Sequence, residues 1–447
     1  MKLKSLLVLA TTAIAFQATA QTWVADSVSV GAVPPGPPGP ASYFLDVYYS
    51  MKNGQVHQDT NTKWHLAFDM TLPSGPNSYA GILANHVQGK VNVYSTHKTS
   101  ADFVSFSAAD TTGLGAHPLY NTDTNWHWGA LNANRSLSNA FDYGWGVYDM
   151  TSHKVLGDSL YMIKVGGVAY KFLVTEYVGS PVNDVHYTFR IAELDNTGDK
   201  TVNIYRNQGI DFTKKNFAYY SITDDAKINH EADNTDWDIV FTRYIEPIAM
   251  GPGPKVPYPV AGVLSNIKVQ VAEARKLNPD TVKHTNYTYT KFASEIGSDW
   301  KRFDMSTPPG TWVLDTVSYF VRSFNSQEYY QIKFTRFDGS STGKYVFAKR
   351  MIAATAVKDV TSNISTYALA PNPAVNQANF VLDAKEAGDA QLVVTSFTGQ
   401  IVQRNVVSLN KGTNAFTINT SVLAPGTYIV MLTNGSWKIA EKLVVQH

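Results

Sequence analysis

The chain has 447 residues, no cysteine, and 37 Lys and Arg against 36 Asp and Glu, for a formal charge of +1. Without cysteine there are no disulfides, thiolate metal sites, iron–sulfur clusters, thiol nucleophiles or lipid-bearing cysteines, and so even a charge balance supplies no long-range field for nucleic acid or an anionic membrane. The 25 Tyr, 21 Phe and 9 Trp, together with many Thr, Val, Asn and Gly, favour strands and turns and predict a mostly β protein.

Residues 1–20 carry Lys2 and Lys4, an apolar run from Leu6 to Phe16, and Ala18-Thr19-Ala20. This is the basic, apolar, small-x-small order of a cleaved secretory signal, and no later stretch has the roughly 18 apolar residues of a spanning helix. The rest is long enough for about three domains with real cores. Pro34 to Pro40, PPGPPGP, is too brief for collagen and reads as a stiff spacer or loop.

An internal repeat follows. Tyr48-Tyr49-Ser50 recurs as Tyr219-Tyr220-Ser221, NTKWHLAF with Trp64 and Phe68 as NTDWDIVF with Trp237 and Phe241, and AGILAN (80–85) as AGVLSN (261–266). GWGVYDM, ending at Met150, parallels SDWKRFDM, ending at Met305. Each is followed by a long alternating strand pair in which Lys164 matches Arg322, Thr175 matches Thr335 and Phe189 matches Phe347. Two homologous antiparallel β domains are expected, 21–210 and 211–352. Period-2 stretches such as Val317 to Val321 and Tyr329 to Thr335 fit short strands. The best helix candidates are Asn266 to Leu277, whose alternating first half reads equally as strand, and Tyr289 to Ile296.

Residues 353–366 turn small and polar, as a linker does, and 367–447 show about seven strands with evenly spaced turns, the pattern of a small β-sandwich. Pro371-Asn372-Pro373, Thr398-Gly399-Gln400, Gly412-x-Asn414, Leu423-x-Pro-Gly-Thr-Tyr428 and the Lys442-Leu443-Val444-Val445 ending closely resemble the type A C-terminal sorting domain of the type IX secretion system of Bacteroidetes. The resemblance implies periplasmic transit, partnership with the type IX machinery and its sortase, removal of the tail, and release or attachment at the cell surface.

Catalytic signatures are not found: no G-x-S-x-G, no H-E-x-x-H, no phosphate loop and no calcium loop. Asp236 and Asp238 flank Trp237 as a solvated strand face would, Glu246 adds no convincing pair, His65 reads as the outward residue of a strand, and Lys301 as a surface position. The chain reads as non-enzymatic. The NTDWDIVF strand, the variable loop after it, and the late VSYFVR and YYQIKFT strands ending GKYVF resemble the HmuY family of haem-binding proteins, over 211–352 and more faintly over the first copy. That resemblance implies an all-β body whose end loops clasp haem between two axial side chains, for delivery to an outer-membrane haem transporter or capture from host haem proteins. The axial candidates it suggests are Met305 and His284 in the second copy, with Tyr287 and Tyr289 near His284, and Met150 and His127 in the first. The alternative is a non-catalytic surface adhesin, or a glycan- or protein-binding protein, that keeps the fold without haem; Trp126 to Trp128 and Pro254 to Pro259 offer aromatic and apolar contacts for it.

Overall fold

The computed structural model describes residues 22–31, 43–72, 80–180, 184–306, 308, 310–324, 328–354, 364–396, 401–434 and 437–446. The expected signal, the proline-rich run, most of the linker and Thr398-Gly399-Gln400 lie outside them. The described part is built of antiparallel strands and short 3-10 turns. It begins with β1 (Val24–Ser29), β2 (Leu45–Ser50) and β3 (Gly54–Thr60). Then come β4 (Leu66–Asp69), β5 (Ile82–Ala84), β6 (Asn92–Thr99), β7 (Gly146–Asp149), β8 (Lys154–Gly157), β9 (Ser159–Val165), β10 (Val168–Val178), β11 (His186–Glu193), β12 (Lys200–Tyr205), β13 (Phe217–Ser221) and β14 (Ala226–Ile228). After them run β15 (Ile239–Ile248), β16 (Val256–Ser265), β17 (Gln270–Arg275), β18 (Lys301–Asp304), β19 (Thr311–Leu314), β20 (Val317–Arg322), β21 (Glu328–Phe337) and β22 (Lys344–Ala354).

Two sandwiches result, and the repeat is legible in their registers. One pairs a short sheet, β14-β13-β4-β5, with a larger one whose main strands run β6-β9-β10-β11-β12. The other pairs β3-β2-β15-β16 with β17-β20-β21-β22-β1. Ala218 lies opposite Phe68 as Val47 lies opposite Phe241. Phe68 stacks on Phe189 at 5.4 Å and Phe241 on Phe347 at 5.6 Å. Tyr220 meets Phe189 edge-on at 5.3 Å as Tyr49 meets Phe347 at 5.2 Å. Thr175 and Thr335 each occupy a break in register of the central hairpin, and each donates its hydroxyl across that hairpin, to Thr188 O and Val346 O. At both places the Thr is the extra residue of a bulge.

The folded bodies do not follow the repeat boundary at 210/211. The first body runs continuously from β4 to β14, so Phe217 to Ser221 of the second repeat complete the first core. The second body takes β15 to β22 and is completed by β1, β2 and β3 from the start of the chain, with Val28, Val47, Tyr49 and Met51 in its core. Each Tyr-Tyr-Ser hairpin therefore closes the body of the other repeat, and the first body is inserted between β3 and β15 of the second.

The helix expected over 266–277 is strand β17. Its core side is Val271, and its other side is two alanines, Ala272 and Ala274, buried against Phe320 beneath Tyr287 and Tyr289. Burial on both faces suits a strand between layers and hides the alternation. Residues 289–296 form no helix; Thr290 bridges Val271.

The tail is a separate seven-stranded sandwich: β23 (Ile364–Ala370), β24 (Gln377–Ala384) and β27 (Gly412–Asn419) face β26 (Ile401–Leu409), β25 (Gly388–Ser396), β28 (Gly426–Thr433) and β29 (Lys438–Val445). Its motif residues hold its own turns. Asn372 donates to Lys442 O at 2.5 Å and accepts from Val444 N at 2.9 Å. Asn414 donates to the carbonyls of Asn410 and Gly412, and Tyr428 donates to Ala424 O.

Candidate functional site: a cleft between the two bodies

The short sheets of the two bodies pack against each other through the faces that do not line the cores. Tyr48, Val240 and Leu264 come from one side and Ala67, Leu83, Phe217 and Tyr219 from the other, with Trp126 packed against both groups. The Trp126 indole N–H donates across the junction to Ser265 O at 2.7 Å, and Ala293 N donates to Thr124 O at 2.9 Å.

The repeat blocks are the girders of this junction. Asn85 donates both amide hydrogens to Asn61 O (2.6 Å) and Trp64 O (2.9 Å), and Asn266 does the same to Asn234 O (3.0 Å) and Trp237 O (2.9 Å). The recurring N-T-x-W and the final Asn of AGILAN and AGVLSN are thus two halves of one clamp. The residue after each Trp closes the exchanged hairpin: His65 Nδ1 accepts from Ile222 N at 2.9 Å, and Asp238 Oδ2 accepts from Met51 N at 2.7 Å. Both are buried, which corrects the expectation of an outward His65 and a solvated Asp238. Asp238 also accepts from Ser323.

A cleft of about 100 Å³ opens at this junction. Aromatic walls come from Tyr48, Trp64, Trp126, Tyr219 and Tyr244, and polar groups from Asp46, Asn61, Asn85, His86, Asn121 and Arg243. Most of the polar groups are committed. Asp46 accepts from Thr242 and Asn61 on one oxygen and faces His230 Nε2 at 2.8 Å with the other. His86 has Nδ1 on Val91 O and Nε2 accepting from Asn121 N, and burial holds its pKa down at about 4, so it is neutral. Burial would depress the His230 pKa too, but the carboxylates of Asp46 and Asp59 prevail and raise it to about 9. Among the described residues, three buried atoms of residues around the cleft have no partner: Asn61 Oδ1, Trp64 Nε1 and Arg243 Nε, the last on the core side of β15 over the Tyr43 ring.

The four side chains expected as axial haem ligands do not line this cleft. Met150 and Met305 are 60% and 72% exposed, so neither has the apolar walls that flank an axial donor. Met305 follows β18, whose Phe303 packs on Trp312. His284 stands instead over the outer face of β20 and β21, 4.7 Å from the Tyr329 ring and 6.3 Å from that of Phe320, with Tyr289 Oη 3.4 Å from its Nδ1. His127 Nδ1 is 2.5 Å from Oδ2 of the fully buried Asp69. The two methionines are thus surface side chains, and the two histidines are packed against other partners. Lys301 is likewise not at the surface: it is 7% exposed, its Nζ donates to Ala261 O at 2.6 Å, and it lies over the rings of Trp300 and Phe337. Among the described residues no group of three His, Asp or Glu is placed to hold a metal ion.

Sequence reasoning passed over Asn61, Trp64 and Arg243 as site residues. The first two stood inside a repeated block and read as framework. Arg243 had one signal: by the shared register it matches Met70 of the first body, a fully buried apolar residue.

Residues 368–446 match the family of secretion system C-terminal sorting domains. No curated protein matches the chain. A crystal structure of dimeric latent PorU from Porphyromonas gingivalis aligns over 89% of this chain and 40% of its own at 11% identity, with a TM-score of 0.17, too low to carry an argument. The sorting domain marks the chain for type IX export and for secretion or attachment at the cell surface. Among the described residues no helix is long and apolar enough to cross a membrane.

Proposed function

We propose that the protein is a non-catalytic binding protein, carried outside the cell by its sorting tail, which holds one unit of a glycan in the cleft between its two bodies. The observation that carries this reading is the cleft's composition: aromatic faces of Trp64 and Trp126 beside unpartnered Asn61 Oδ1 and Trp64 Nε1. Aromatic faces take the apolar face of a sugar ring, and isolated buried donors and acceptors gain most from its hydroxyls. The histidine and carboxylate groups at the cleft are tied up by internal hydrogen bonds, which supports binding over catalysis.

Haem capture is the second reading, and the observation on its side is the aromatic group of Tyr287, Tyr289, Tyr329 and Phe320 around His284. One pair of titrations separates the two. The glycan reading expects hits on a glycan array that weaken at least tenfold in Trp64→Phe, which keeps the ring but removes the N–H. A saturable Soret band on adding haemin, abolished by His284→Ala and untouched by Trp64→Phe, would put haem capture first.

A further inference from the structure

The two repeats differ where the cleft opens. Phe217 stands two residues before Tyr219 and packs on Trp126, with ring centroids 5.8 Å apart. Its counterpart before Tyr48 is Asp46, which has no ring to fill the same space and lines the cleft instead. A buried carboxylate is costly to a fold unless it is partnered, and Thr242, Asn61 and His230 are all committed to this one. A departure of this kind from the local rule is expected where a site is built.

What the cleft offers a ligand is neutral. Asp46 is tied up by those three partners, His86 is uncharged, Asp123 accepts from Ser294, and the Arg243 guanidinium lies on the core side of β15. Asn61 donates its amide hydrogens to Tyr43 O and Asp46 Oδ1, each at 3.2 Å. Both partners are acceptors, which fixes the orientation of the amide and leaves Oδ1 an acceptor without a donor on a side chain 3% exposed. The matching donor is Trp64 Nε1–H, also without a partner among the described residues, on a residue whose backbone is held by the same Asn85 that holds Asn61. Hydrocarbon supplies the remaining wall: Leu83 from the first body, and Val240 and Leu264, opposite each other in register, from the second.

An acceptor, a donor and an apolar contact describe a secondary amide that ends in a methyl group. Its N–H meets Asn61 Oδ1, its carbonyl accepts from Trp64 Nε1, and its methyl packs on Val240 and Leu264. A pair of hydroxyls would satisfy the two polar groups but leave the hydrocarbon wall uncovered. The cleft's volume of about 100 Å³ is below the roughly 300–1,000 Å³ of a pocket that encloses a whole drug-sized ligand, so it admits one substituent and leaves the ring that bears it at the mouth, beside half-buried Trp126.

We infer that the cleft recognises the acetamido group of an N-acetylhexosamine, with Asn61 taking its N–H, Trp64 its carbonyl oxygen and Val240 and Leu264 its methyl. This rests on the glycan reading above and narrows its ligand. Because the ring stays at the mouth, the sugar can be a free monosaccharide or the end of a longer glycan.

The test is calorimetric titration of the full chain with N-acetylglucosamine, D-glucose, N-propionylglucosamine and di-N-acetylchitobiose, on the wild type, Val240→Ala and Trp64→Phe. Val240→Ala installs the residue that the first body carries at this position, Ala67, so it should fold; its unfolding midpoint checks that. In the wild type N-acetylglucosamine should bind at least tenfold more tightly than glucose and at least tenfold more tightly than the propionyl sugar, whose extra methylene has no room. Val240→Ala should make that room and bring the propionyl sugar up to the acetyl level. Chitobiose binding more tightly than the monosaccharide would identify a glycan end as the source, and equal affinity the free sugar. If glucose or the propionyl sugar binds the wild type as well as N-acetylglucosamine does, or folded Val240→Ala still rejects the propionyl sugar, the acetamido inference is overturned while the glycan reading stands on its Trp64 dependence. If no sugar binds in a Trp64-dependent way, both fail.

Discussion

Tyr48 and Tyr219, the same position of the two sequence repeats, stand beside each other on the wall of the cleft where the two bodies meet. Each also stands edge-on to the Trp of the opposite repeat, Tyr48 to Trp237 at 5.1 Å and Tyr219 to Trp64 at 5.0 Å. A residue that meets its own counterpart marks a local two-fold axis, as in an isologous dimer interface. The duplication has thus kept, within one chain, the geometry of a symmetric pair with exchanged hairpins.

That closeness predicts non-additivity. Tyr219→Phe removes the hydroxyl that donates to Glu231 Oε2 at 3.5 Å and should cost about 1–2 kcal/mol in urea unfolding; because Tyr48 stands beside it, Tyr48→Phe added to that variant should cost less than it does alone. Fully additive losses would mean that the two side chains do not couple.

The exchange of hairpins predicts which pieces fold. A fragment of residues 62–232 contains every strand of the first body and should give a cooperative thermal transition alone. Residues 236–354 lack β1 to β3 and with them Val28, Val47, Tyr49 and Met51 of the second core, so they should stay unfolded until joined to residues 22–60, in trans or through a linker after residue 354. Cooperative melting of 236–354 alone would refute the exchange.

Much of this architecture was legible in the sequence, and what escaped did so for physical reasons. The paired blocks gave the duplication, the strand class and the tail, because turn chemistry and alternation are local. They could not tell which copy of a hairpin closes which body, since the Tyr-Tyr-Ser hairpin offers the same register to either Trp strand. Only the connections decide that. His65 and Asp238 misled for a related reason: polar residues in alternation read as solvent-facing, whereas here the exchanged hairpin covers them, His65 accepting from Ile222 N and Asp238 from Met51 N. The cleft escaped because it lies between elements, where side chains distant in sequence come together.

The clamp residues predict a matched pair of losses. Asn85→Ala and Asn266→Ala each strip hydrogen-bond donors from two carbonyls, at 61 and 64 or at 234 and 237. Each should cost about 2–4 kcal/mol, measured by urea unfolding of the full chain. A loss at only one of the two sites would show that the clamp matters in one body alone.

Two buried cations predict opposing pH effects. The Lys301 pKa is pushed down to about 7, first by burial, below its ordinary 10.5, so above pH 7 the unfolded chain binds more protons than the folded one. Stability contributed by this group therefore rises with pH from about 7 to 10.5, by at most about 1.4 kcal/mol per unit. His230 acts the other way: despite its burial, Asp46 and Asp59 raise its pKa from 6.5 to about 9, so its contribution is full below pH 6.5 and is lost as pH climbs through 9. In the wild type the two slopes offset each other between pH 7 and 9. Lys301→Met should expose a fall in stability over that window and His230→Gln a rise, both read from urea midpoints at half-unit steps. Equivalent core packing makes the first substitution informative for another reason. In the first body the carbonyl of Ala80 is taken by Trp145 Nε1 at 2.9 Å, whereas in the second Lys301 takes that of Ala261 and leaves Trp300 Nε1 without a partner. Removing the ammonium should let Trp300 claim the carbonyl, so Lys301→Met should be at least as stable as wild type at pH 6. A loss of more than about 2 kcal/mol there would show that the ammonium is needed in place.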